Sequence, residues 1–158
     1  MAAFRIEPVR SAADLAEIAR LFQAYVDWLG IDLTFQDFAA ELAGLPGKYA
    51  PPAGELLLAR GRGGEALGCV AVRPLGSEGV CEMKRLYVLP AARGLGLGRA
   101  LVTAILETAR RLGYREMRLD TLPTLLPALS LYREADFKEI PAYYETPLAE
   151  VMFLSKQL

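Results

Sequence analysis

The amino-acid sequence predicts a mixed α/β sheet with an antiparallel front half. Three observations predict it. Apolar periodicities run in the order strand, helix, helix, three strands, helix, strand, helix, two strands. The three central strands, "GELLLARG", "ALGCVAVRPL" and "VCEMKRLYVL", are joined only by the short turns "RGRGG" and "SEG", which favour antiparallel neighbours. A glycine-rich turn then leads the third of them into a long amphipathic helix and a further strand, one βα unit.

Each element has a local reason. "FRIEPVR" alternates and reads as a first strand. "SAADLAEIARLFQAYVDWL" reads as a helix, with Ser11 as N-cap and Asp14 at the capping-box position. Leu15, Ile18, Ala19, Phe22 and Val26 form its apolar stripe. "TFQDFAAELAGL" is a second short helix capped by Thr34, and the proline-rich "PGKYAPPAG" is a loop. "GRALVTAILETARRLG" is a long amphipathic helix ending at Gly113 as its C′ residue. "YREMRLDT" is a strand, and "LLPALSLYREADF" a helix with Pro127 in its first turn. "FKEI" and "VMFLSKQL" close the sheet across "PAYYETPLAE".

The chain of 158 residues fits one domain, 1–158, with a sizeable core. Hydrophobic residues at 53% and charged residues at 23% make a globular composition. No run of apolar residues is long enough for a membrane span, and "MAAFRIEPVR" does not read as a secretory leader, so a cytosolic location is expected. A net charge of -1 without a basic run argues against nucleic acid as partner. With no histidine and no CxxC pair, no metal site is expected, and acid–base chemistry falls to Glu, Asp, Tyr, Lys, Cys or water. Cys69 and Cys81 lie symmetrically about Leu75, so a hairpin centred there brings them close; a disulfide across adjacent antiparallel strands is strained, and thiols are expected. The Ala-, Leu- and Arg-rich composition points to a GC-rich bacterial genome.

The glycine turn carries the functional signal. In "YVLPAARGLGLGRALV", Gly94, Gly96 and Gly98 stand where a strand meets a helix. Glycines let backbone N–H groups face inward, and the helix N-terminus adds positive potential, so a phosphate or pyrophosphate is the expected ligand. Arg93 and Arg99 flank the turn and offer charge-assisted contacts. A triphosphate loop needs Lys followed by Ser or Thr, which is missing. A dinucleotide fingerprint needs a third glycine where Arg99 stands.

Arg93-x-x-Gly96-x-Gly98 matches the [QR]-x-x-G-x-[GA] signature of the GNAT acetyltransferase superfamily. "KRLYVLPAARGLGLGRAL" resembles that family's motif A, and "RLDT" with "ALSLYREADF" its motif B, except that Asp136 stands where glycine is usual. The resemblance covers residues 4–158 in element order. It implies a mostly antiparallel seven-stranded sheet flanked by about four helices, and acetyl-CoA as cosubstrate. By this resemblance the turn Arg93, Gly94, Leu95, Gly96, Leu97, Gly98 and Arg99 holds the pyrophosphate. Leu86, Tyr87 and Val88 contact the pantetheine arm, and the amide of Val88 or its neighbour polarises the thioester carbonyl. Tyr132 takes the position of the tyrosine that protonates the thiolate. Glu82, a carboxylate interrupting an apolar strand, takes the place of a catalytic base, and its apolar neighbours favour a raised pKa.

The resemblance places the acceptor against Tyr25, Trp28, Tyr49, Glu82, Arg85, Tyr143 and Tyr144. Tyr25, Trp28 and Tyr49 form an aromatic wall suited to a small amine. Arg85 and Arg118 would suit the carboxylate of an amino acid. "AYYE" is similar to a loop of enzymes that acetylate protein N-termini, which keeps that reading open. So do two others: a non-catalytic acyl-CoA-binding module and a nucleotide-binding oxidoreductase half. The resemblance extends to a homodimer, with the apolar "VMFL" as candidate surface.

Overall fold

The computed structural model describes residues 3–158. In chain order the elements are β1 (Phe4–Pro8), α1 (Ala12–Leu29), α2 (Phe38–Ala43), β2 (Glu55–Gly61), β3 (Ala66–Pro74), β4 (Val80–Val88), α3 (Leu97–Arg111), β5 (Glu116–Thr121), α4 (Leu126–Glu134), β6 (Lys138–Ile140) and β7 (Met152–Gln157). The strands form one seven-stranded sheet in the order β1-β2-β3-β4-β5-β7-β6. The β4–β5 pair is parallel, as the helical crossover through α3 requires. The pairs on either side of it are antiparallel. Among the described residues no helix is long and apolar enough to cross a membrane.

Helices cover both faces of the sheet. Leu57, Val70, Met83 and Met117 meet Leu101 and Ile105 of α3 on one face. Leu56, Leu58, Cys69 and Tyr87 meet Ile18 and Phe22 of α1 on the other. This double burial explains why "ELLL" is a continuous apolar run. The α1 cap is as read: the amide of Asp14 donates to Ser11 Oγ at 3.1 Å. At its far end Gly30 adopts φ 66° and donates to Val26 O at 3.2 Å.

The second helix differs from the expectation. Thr34–Gln36 closes a single 3-10 turn after the Thr34 amide donates to Asp32 Oδ1, and Asp37 then turns left-handed at φ 55°. The helix resumes only at Phe38, so Thr34 caps no continuous helix. The cysteine expectation is half corrected. Both are free thiols, but the hairpin pairs Pro74 with Cys81 and Cys69 with Tyr87. Its turn is therefore centred beyond Leu75, and the two sulfurs sit in different cores, on opposite faces of the sheet. "VMFL" is likewise corrected as a dimer surface. β7 lies between β5 and β6, and Phe153 and Leu154 are buried inside.

β4 contains a bulge that matters for the site. Cys69 pairs with Tyr87 and Ala71 with Lys84, so β4 carries one more residue than β3 over this stretch. Arg85 absorbs it at φ 60°. Before the bulge Cys81 and Met83 face α3; after it Leu86 and Val88 pack on that same core. Asp136, where motif B favours glycine, also has a left-handed backbone, at φ 70°. Aspartate is one of the few residues that tolerates this.

Candidate active site

β4 and β5 stay paired only through Val80↔Glu116, Cys81↔Met117 and Glu82↔Arg118. Beyond these they diverge, and the gap between Met83–Val88 and Leu119–Thr121 opens into a cleft of about 380 Å³. Its walls include Leu86, Tyr87 and Val88 on β4, Asp120 on β5, and Leu131 and Tyr132 on α4. Arg93, Gly94, Leu97 and Gly98 close one end, and Tyr25 and Trp28 stand over it.

The turn is built as an anion cradle. Gly94 and Gly96 adopt φ 87° and 77°, and a Cβ built on either meets nothing within 4 Å, so the space in front of them is open. α3 starts after Gly96 without a side-chain cap, leaving its first-turn amides free of intrahelical partners. Gly98 has a different reason: its Cβ would come within 3.0 Å of Leu131 Cδ1, so it permits close approach of α3 and α4. The Leu97 side chain is buried, leaving only its backbone for a ligand, while Leu95 is exposed. Arg93 Nε donates to Val88 O at 3.3 Å, and its guanidinium lies over the Trp28 ring at 5.1 Å. Arg99 is paired with Glu134 at 2.9 Å on the exposed surface.

The aromatic wall is present in part. Tyr87 lies 5.7 Å from Tyr25 and 6.0 Å from Trp28, centroid to centroid. Burial pushes the Tyr25 phenol up to about 12. Tyr49 is a correction: it is buried, edge-on to Phe22 at 5.9 Å, and lies in the core away from the cleft. Tyr132 lines the cleft and packs edge-on to Phe137 at 5.8 Å. Burial raises its pKa far above the usual phenol value, so it stays protonated.

Glu82 departs further from the expectation. It does not line the cleft. Only 1% of its side chain is exposed, and its carboxylate is fully engaged. Oε1 accepts from Arg73 Nη2 and Nε at 2.8 and 2.9 Å, and Oε2 accepts from the Tyr143 hydroxyl at 2.5 Å. The Tyr144 hydroxyl donates to Asp120 Oδ2 at 2.7 Å. Both tyrosines are thus turned inward onto carboxylates and stacked around Phe153. Burial first, and the adjacent carboxylates second, raise both phenol pKa values.

The arginines are also occupied. Arg85 Nε and Nη2 each donate to a Glu41 oxygen at 3.0 Å, and Nη1 donates to Gln36 Oε1 at 3.1 Å. Arg118 is held by Glu116 at 2.7 Å. Neither fork is open to a substrate carboxylate. Gln36, Arg73, Lys84 and Asp120 belong to this polar floor but were not singled out in the sequence as site residues. Strand parity was a usable signal for Asp120, because Met117 and Leu119 are core residues and Arg118 and Asp120 alternate with them. Lys84 is 7% exposed, its Nζ lies 3.8 Å from Asp120 Oδ2, and burial lowers its pKa.

Known proteins share this architecture. A structure of an acetyltransferase from Streptococcus agalactiae superposes with a TM-score of 0.80 over 100% of both chains, at 20% identity. A Salmonella typhimurium structure holding acetyl-CoA as its cofactor superposes at 0.68, covering 98% of this chain and 94% of that one, at 22% identity. In sequence, an uncharacterised N-acetyltransferase of Schizosaccharomyces pombe is 48% identical over 97% of this chain and 94% of its own length. An aminoglycoside N(6′)-acetyltransferase of Klebsiella aerogenes is 38% identical over 69% of this chain and 76% of its own. The similarity reaches a fungus as well as bacteria, so it adds nothing to the compositional pointer to a bacterial source. The Acetyltransferase (GNAT) family matches residues 16–137. With that match, the fold and the yeast relative in agreement, the chain belongs to the GNAT family and is an acyltransferase, an N-acetyltransferase by kind.

Proposed function

We propose that this enzyme moves the acetyl group of acetyl-CoA to a primary amine of a small molecule, by direct attack in a ternary complex. The observation that carries the reading is the cleft between diverging β4 and β5, with an uncapped helix N-terminus at one end and an aromatic wall of Tyr25, Trp28 and Tyr87 alongside. The open space before Gly94 and Gly96 fits a pyrophosphate against the backbone of residues 93–99. Leu86, Tyr87 and Val88 supply the wall for the pantetheine arm. Bound there, the thioester supplies an activated acyl carbon.

The residues of this chain then have separate tasks. A backbone amide at or beside Val88 polarises the carbonyl, a donor whose loss typically costs about 3 kcal/mol in an oxyanion hole. Tyr132 holds the proton that the departing thiolate takes. No covalent step is needed once both reactants are oriented. The filled forks of Arg85 and Arg118 speak against an amino-acid carboxylate as the second anchor. The inward-turned Tyr143 and Tyr144 give protein N-termini no support.

The test pairs calorimetric binding of acetyl-CoA with thiol release over an amine panel, for wild type and Tyr132→Phe. Binding with amine-dependent release that slows in the variant supports the reading. Tight binding with silence on every amine would make the protein a carrier of acyl-CoA. Absence of acetyl-CoA binding removes the reading of the turn altogether.

A further inference from the structure

We infer that Asp120 is the proton acceptor for the attacking amine, and that the acceptor is a compact aliphatic primary amine carrying no carboxylate; this rests on the reading of the cleft as an acetyl-CoA site. Asp120 is positioned where two cavities meet. It lines the large cleft and also a small cavity of about 40 Å³, and the two share Tyr25, Arg85, Thr121 and Leu125 as walls. An attacking nitrogen has to sit where the acyl cleft and the acceptor cavity touch, within reach of a base on that shared wall.

Among the acids of the polar floor only Asp120 has spare capacity. Glu82 is buried and bonded through both oxygens, and Glu41 is clamped by Arg85. Asp120 keeps 20% of its side chain exposed. Its recorded contacts, Tyr144 at 2.7 Å and Lys84 at 3.8 Å, both fall on Oδ2. Among the described residues Oδ1 carries no hydrogen bond. The Lys84 contact is loose beside the 2.8 Å between Arg73 and Glu82. A carboxylate that lines both cavities and keeps one oxygen without a hydrogen bond is suited to receive an ammonium group.

The small cavity sets the body of the acceptor. Its walls are largely aliphatic, with Leu29, Ile31, Leu33, Leu122, Leu148 and Val151 prominent. At about 10–15 Å³ per water-sized centre, 40 Å³ holds roughly three such atoms. A body of about three or four carbons beyond the amine-bearing carbon fits; an aminoglycoside or a long polyamine does not. A carboxylate entering this cavity finds no open cation, because Arg85 is already bidentate to Glu41.

The ammonium gives one proton to Asp120 Oδ1, and the free amine forms the C–N bond to the acyl carbon. The C–S bond breaks with its electron pair left on sulfur. The second amine proton reaches that thiolate through Tyr132, and Asp120 returns its proton to solvent. The products are the amide and free CoA thiol.

The experiment measures acetyl-CoA binding, kcat and KM for wild type, Asp120→Asn and Asp120→Glu. Isobutylamine and 3-methylbutylamine are the acceptors, against valine and leucine. A general base contributes about 10²–10⁴-fold, so Asp120→Asn should lower kcat by about 100-fold or more. Acetyl-CoA affinity should stay within threefold, and Asp120→Glu should recover part of kcat. The amines should exceed their amino-acid counterparts at least tenfold in kcat/KM. A kcat for Asp120→Asn within threefold of wild type overturns the base assignment. Equal use of leucine and 3-methylbutylamine, or silence on both amines by a protein that binds acetyl-CoA, overturns the acceptor class. Wild-type protein that fails to bind acetyl-CoA instead overturns the underlying reading of the cleft.

Discussion

Replacing Glu82 by glutamine isolates what the buried carboxylate does. The substitution keeps the volume and one acceptor oxygen but removes the charge that Arg73 and Tyr143 address at 2.8 and 2.5 Å. Removing one partner of a buried ion pair costs about 3–5 kcal/mol, because the other charge is left uncompensated. Arg73 is 26% exposed, so water recovers part of that cost, and about 2–3 kcal/mol is the expected loss. At about 2–4 °C per kcal/mol for a chain of this size, the melting temperature should fall by roughly 4–12 °C. Urea unfolding gives the free energy directly, and Arg73→Met with the double variant completes a cycle. The double variant should be more stable than the sum of the single losses, since it leaves no buried charge alone. A Glu82→Gln protein within about 0.5 kcal/mol of wild type, or strictly additive losses, would refute the reasoning.

Three further outcomes follow from other sites. Gly96→Ala places a Cβ on a left-handed residue with open space before it, so stability should fall by only about 1–2 kcal/mol; acetyl-CoA affinity, by calorimetry, should fall more than tenfold as the methyl enters the cradle. Asp136→Gly removes the strain at φ 70° and should raise stability, by at most about 1 kcal/mol after the extra entropy of unfolded glycine, read from urea midpoints. Burial raises Cys69 and Cys81 from 9.0 to about 12. Below pH 9 both states are protonated and the thiols add no pH dependence. Between pH 9 and 12 the unfolded chain releases protons that the folded one keeps, so stability should fall with rising pH. The slope should be on the order of 1.4 kcal/mol per unit per thiol, and a urea midpoint that holds from pH 8 to 10 contradicts it.

The parts of the fold legible in the sequence are those fixed by local chemistry. Ser11 caps α1 and Gly113 ends α3 through contacts within a few residues, and Gly94 and Gly96 need the backbone freedom that their residue type advertises. The misread parts depend on partners far along the chain. Tyr49 carries no mark that it will pack on Phe22, and a carboxylate in an apolar strand looks the same whether or not Arg73 closes on it. The distinction between Glu82 and Asp120 arises where β4 leaves β5: pairing ends at Glu82↔Arg118, so Glu82 stays inside the ladder while Asp120 borders the cleft, and that end point depends on the pairing of two strands distant in the chain. Asp37 shows the same limit locally, since aspartate is common both inside short helices and at left-handed interruptions.

The extra residue at Arg85 makes β4 a strand with two reading frames. Upstream of it odd-numbered side chains meet α3; downstream even-numbered ones do. Were Arg85 drawn into the ladder as an ordinary strand residue, Leu86 and Val88 would exchange with Tyr87 across the sheet and turn the cleft wall inside out, whereas deleting Arg85 would remove the bulge and leave every side chain on its present face. A chimera between relatives spliced within β4 therefore keeps a working cleft only when both parents carry the slip at the same position. The junction for swapping acceptor halves between such enzymes belongs after Val88, in the turn, where the backbone is read and side-chain parity no longer counts.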